Sequence, residues 1–115
     1  MFRRRKELPE GYRHLPRIDR ETIKRLVAEG ADLTRPREII HYFVTQRRGD
    51  ADQVARRARE NGYAVETLKA GDEVTVAASL ASQVLTPRYL QEARATMEAI
   101  AAQTNSSYDG WEASV

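Results

Sequence analysis

Two histidines, His14 and His41, seventeen Asp and Glu side chains and no cysteine are the groups from which any reaction centre in this 115-residue chain must be built. The missing cysteine removes thiolate nucleophiles, iron–sulfur clusters, Cys-based zinc sites and disulfides together. His41 lies inside an apolar run, where it is a general base, a ligand or a hydrogen-bonded sheet histidine. With no second His or Cys to complete a site, the sheet histidine is the favoured reading. Carboxylates sit at expected helix starts (Asp19, Asp50) or beside basic residues, so no acid–base dyad stands out. Gly11, Gly30, Gly49, Gly62, Gly71 and Gly110 are isolated from one another, which argues against a phosphate-cradling loop. These residues point to a protein that is not an enzyme and uses neither cofactor nor metal.

Binding chemistry has more to offer. The run Tyr108-Asp109-Gly110-Trp111-Glu112 contains the single tryptophan. Trp111 either closes the core over a sheet or stands exposed beside carboxylates as an anchor for a protein partner. Arg3, Arg4, Arg5 and Lys6 form one basic cluster, and Arg47, Arg48, Arg56, Arg57 and Arg59 a second. Either suits an acidic partner or weak, salt-sensitive contact with RNA phosphates; each is also what a solvated surface looks like.

The elements that must position these groups are legible in outline. Residues 1–17, punctuated by Pro9, Gly11 and Pro16, read as a flexible basic arm, and the domain begins at Ile18. Asp19 is the expected N-cap of a first helix, with Ile18 and Ile23 as its staple and Gly30 as its stop. Residues 37–46 read as a strand apolar on both faces, Ile39, His41 and Phe43 on one and Ile40, Tyr42 and Val44 on the other, which makes it central. A second helix is expected from an Asp50 cap with Gln53 three residues on, ending at Asn61-Gly62. Strands at 63–69 and 73–82 flank Ala70-Gly71-Asp72, a hairpin signal. Thr86-Pro87 opens a third helix that Asn105 ends, and residues 107–113 form an edge strand or bulge around Gly110. The order is one helix, then β-α-β-β-α-β: an α+β, ferredoxin-like (split βαβ) two-layer sandwich with an extra N-terminal helix and a four-stranded antiparallel sheet over residues 18–115.

Charge is unevenly spread. Residues 1–17 hold six basic and two acidic side chains, whereas residues 66–115 hold three basic and seven acidic. RNA-recognition domains of this topology stack bases on aromatics of the two central strands. Here the second of those, Val74–Ser82, has none, which argues against base-specific binding. No apolar run approaches the roughly 20 residues of a membrane span, and the basic start is followed by Glu7, Pro9 and Glu10 rather than a signal-peptide core. A cytoplasmic protein is expected.

Three segments together resemble a known family. Tyr108-Asp109-Gly110-Trp111-Glu112 at the end of a βαββαβ unit, Ile40-His41-Tyr42-Phe43 in its first strand and Asn61-Gly62-Tyr63-Ala64-Val65 after its first crossover helix resemble the RraB family over roughly residues 19–114. The resemblance implies a bacterial, non-catalytic inhibitor of ribonuclease E. It binds the nuclease, or a related RNA-degradation assembly, by protein–protein contact outside the active site and lowers cleavage of a subset of transcripts. It marks Tyr108–Glu112, His41 and Tyr42 as candidate partner-binding positions. The alternative is a weak, sequence-tolerant nucleic-acid-binding protein that uses the arginine-rich arm and second helix.

Overall fold

The computed structural model describes residues 8–115, so the Arg3–Lys6 cluster and the RNA contact expected of it lie outside the described residues. Helices α1 (Arg17–Ala28), α2 (Arg48–Glu60) and α3 (Pro87–Gln103) accompany strands β1 (Arg37–Thr45), β2 (Ala64–Ala70), β3 (Glu73–Gln83) and β4 (Ser107–Ala113). The strands form one antiparallel sheet in the order β2-β3-β1-β4. This is the ferredoxin-like arrangement expected, with β1 and β3 central.

Local signals explain most of the boundaries. The Thr86 side chain accepts from the Tyr89 N–H at 3.0 Å, and Pro87 occupies the first helical position. At the end of α2, Gly62 adopts φ +90° while Gly62 N–H bonds Arg59 and Tyr63 N–H bonds Ala58, the two bonds of a Schellman ending. Asn105 ends α3 in the left-handed region at φ 53°.

Two helix starts differ from expectation. α1 begins at Arg17 with Pro16 as its N-cap, which leaves Ile18 59% exposed and unable to staple. Asp19 is then a first-turn residue whose carboxylate turns into the protein. α2 starts at Arg48, so Asp50 lies in the first turn, where its charge favours the helix dipole, instead of capping.

The expected arm also ends earlier. Residues 8–17 lie on the domain: Glu10–His14 form a 3-10 helix, and Leu8, Tyr12 and Leu15 are buried with Ile23, Leu26, Ile39, Leu85, Leu90 and Trp111. The Tyr12 hydroxyl donates to the Leu85 carbonyl at 2.6 Å. Gly11 is required here by packing, because a Cβ would meet Pro87 Cγ at 2.8 Å. The apolar spacing of 8, 12 and 15 is helical, but the interleaved Pro9, Gly11 and Pro16 disguise it.

A second core lies between α2, α3 and the sheet, built from Phe43, Val54, Ala58, Val76, Met97 and Ile100 among others. Along β1 the residues facing the helices are buried and those facing away are exposed or half-buried. Among the described residues, no helix covers the other face of the sheet.

Candidate functional site

β1 and β4 bring the singled-out residues together and then divide them between the two faces of the sheet. His41 pairs with Trp111 and Phe43 with Tyr108. One β1 residue, Tyr42, thus stands against two on β4, Asp109 and Gly110, which is a β-bulge. Gly110 takes φ +89° there, a conformation that costs any residue with a Cβ. The bulge has a direct consequence. Tyr108 and Trp111 are three residues apart and in a regular strand would face opposite sides. The extra residue turns both toward the helices.

On that side they enter a buried polar cluster. The His41 ring, 1% exposed, contacts the Tyr108 hydroxyl through Nδ1 at 2.8 Å and the Tyr89 hydroxyl through Nε2 at 3.1 Å. Tyr89 also shares a hydrogen bond with the Tyr63 hydroxyl at 2.9 Å. The Tyr63 ring meets His41 edge-on with centroids 5.5 Å apart. Burial pushes the imidazole down to about 4, the nearby Asp19 opposing and Arg94 adding to the shift. A neutral ring has one N–H donor and one acceptor, so His41 donates to one tyrosine and accepts from the other. Burial raises Tyr63, Tyr89 and Tyr108 above the ordinary tyrosine value, which keeps their hydroxyls protonated.

Beside it lies a buried ion pair. Asp19, 1% exposed, accepts from Arg94 Nε at 2.7 Å and Nη2 at 2.8 Å, and from Trp111 Nε1 at 2.9 Å. Arg94 Nη1 continues to Glu98 at 2.9 Å, and its guanidinium lies 5.1 Å from the centroid of the Tyr108 ring. The Asp19 hydrogen bond, above all, holds Arg94 above its usual range. These contacts tie α1, α3 and β4 together with a charge balanced on the spot.

Tyr42 and Glu112 face the other way. Tyr42 donates to Glu112 Oε1 at 2.5 Å, and that bond pushes the Tyr42 hydroxyl up to about 12. Asp109 is exposed at the bulge, whereas Gly110 is buried. Trp111 is 9% exposed, so the indole is a core residue and is not the exposed anchor considered above. Sequence reasoning missed Tyr63, Tyr89 and Arg94 as members of the cluster and took Asp19 for a cap. Partners 75 and 92 residues apart leave no local signal. On the basic helix, Arg57 Nη1 bonds Gln103 Oε1 at 3.0 Å and Arg56 stands 4.0 Å from Glu60.

Among the described residues no three His, Asp or Glu side chains converge to hold a metal ion. No described helix is long and apolar enough to cross a membrane. The His41 cluster has both ring nitrogens bonded to tyrosines, and Asp19 has both oxygens occupied. Residues 17–113 match the family model for RraB, regulator of ribonuclease activity B. The chain belongs to that family. A search of the curated proteins gives no match.

Proposed function

We propose that this protein is a non-catalytic inhibitor of a ribonuclease E-type nuclease, acting by protein–protein contact and without making or breaking a bond. Membership of a family of ribonuclease regulators carries the reading. The saturation of the His41 ring supports it, because a general base needs a free nitrogen within reach of a substrate and His41 has neither a free nitrogen nor exposure. The contact surface includes the solvent side of β1 and β4, where Tyr42 and Glu112 lie, while Tyr108, Gly110 and Trp111 set the shape of that edge from beneath. Mixing the purified protein with the purified nuclease and separating by size tests the reading. Co-elution as a defined complex is expected; separate elution at concentrations well above micromolar would overturn it.

A further inference from the structure

The helix-free face of the sheet has a charge opposite to that of the chain. Strand register places Glu38, Ile40, Tyr42 and Val44 of β1 outward, with Glu73, Thr75, Ala77 and Ser79 of β3 beside them. Ala64, Glu66, Leu68 and Ala70 of β2 and Ser107 and Glu112 of β4 complete the face. These outward positions hold four glutamates and no lysine or arginine, although the whole chain has more basic than acidic residues. Lys69 and Arg37, the basic residues of these strands, share the register of Val74 and Ile39 and point to the helix side.

The shape is that of a shallow trough. Side chains on β3 are small (Thr75, Ala77, Ser79), and they are flanked by Ile40, Tyr42 and Val44 on one side and Glu66 and Leu68 on the other. Leu68 is 57% exposed, one of three large apolar side chains so open among the described residues. At the β1–β4 end a cleft of about 310 Å³ is lined by Glu38, Ile40, Glu112, Ala113 and Ser114, with two carboxylates over an apolar floor. Sheet spacing makes the face roughly 14 Å across, wide enough for one extended chain.

We propose that this face docks an extended, arginine-bearing segment of the nuclease-side partner, a refinement that rests on the protein-contact reading above. Arginine stems lie along apolar floors while their guanidinium groups fork onto carboxylates. Acids on both margins of an apolar trough present that combination. RNA is disfavoured, because four carboxylates repel phosphates and Tyr42, the only aromatic among the described residues of the face, has its hydroxyl tied to Glu112. A second copy presenting its α2 arginines would make a head-to-tail contact, which the test below reads as self-association.

The test uses the full chain and a fluorescent peptide alternating arginine with valine. Two variants carry the same charge change: Glu38→Gln/Glu66→Gln/Glu112→Gln on the face, and Glu21→Gln/Glu29→Gln/Glu60→Gln away from it. The expected result is peptide binding that weakens with salt, falls at least about tenfold, or about 1.4 kcal/mol, in the face variant, and is kept by the other variant. Circular dichroism confirms that both are folded. Equal loss in the two variants, no loss in the face variant, tighter binding of a short RNA, or self-association that the face variant abolishes would each overturn the proposal. The nuclease separates the two claims. If the face variant still binds it as tightly as the parent, the docking face is wrong and the inhibitor reading survives. If the peptide behaves as expected and the nuclease binds neither protein, the face stands and the inhibitor reading fails.

Discussion

Replacing Asp19 by Leu removes one carboxylate on which three donors converge: Arg94 Nε and Nη2 and Trp111 Nε1, at 2.7–2.9 Å. Breaking one side of a buried pair costs about 3–5 kcal/mol, mostly because the other charge is stranded. Arg94 keeps its bond to Glu98 and its side chain is 16% exposed, so water relieves part of that penalty. The lower end, about 3 kcal/mol, is expected, or a fall in Tm on the order of 10 °C for a domain of this size. Restoring balance by also replacing Arg94 with Leu should return much of the loss, since an apolar pair of similar volume substitutes well for a buried ion pair. The assay is urea unfolding of the four proteins of the double-mutant cycle, followed by circular dichroism and by the fluorescence of Trp111, the single tryptophan. A loss below about 1 kcal/mol in Asp19→Leu, the value of a surface pair, would refute the cluster as the tie between α1, α3 and β4. So would a double variant destabilised by the sum of the two single ones.

Other expectations follow from the same geometry. Gly110→Ala should cost about 1–2 kcal/mol through its φ of +89°, read as a lower urea midpoint with an unchanged slope. His41 has a folded value near 4, below its unfolded one. Its contribution is therefore complete above about pH 6.5 and is lost as pH falls toward 4. That contribution is on the order of 3 kcal/mol, and a His41→Phe variant should show a flatter loss of stability over this window than the parent. Tyr12→Ala should destabilise by about 3 kcal/mol, because the ring is buried and its hydroxyl holds Leu85; a change within about 0.5 kcal/mol, typical of surface positions, would mean that residues 8–15 are not part of the cooperative domain.

What the sequence discloses and what it hides divide along chain separation. Thr86-Pro87, Asn61-Gly62 and Asn105 act within a turn of themselves, so their caps and stops could be read directly. Strand order followed from the β-α-β-β-α-β succession of elements, and the apolar content of β1 and β3 agreed with their central places. Gly110 announced a bulge, yet not that the bulge turns Tyr108 and Trp111 to one side. Asp19 was misread because a carboxylate near a helix start satisfies the capping rule whether or not a distant Arg94 claims it. Leu8, Tyr12 and Leu15 were hidden by the prolines and glycine among them, which break an α-helical pattern but permit a 3-10 turn. The charge reversal on the open sheet face needs strand register, because Glu38, Glu66, Glu73 and Glu112 are scattered along the chain.

The measurement closest to the central claim is the rate of RNA cleavage by the purified nuclease as this protein is titrated in. A saturable fall in rate is predicted, tracking formation of the protein–protein complex and unchanged when the protein is first incubated with substrate RNA. An unaltered rate at concentrations that saturate the nuclease, or a fall that scales with RNA bound by this protein instead, would contradict it.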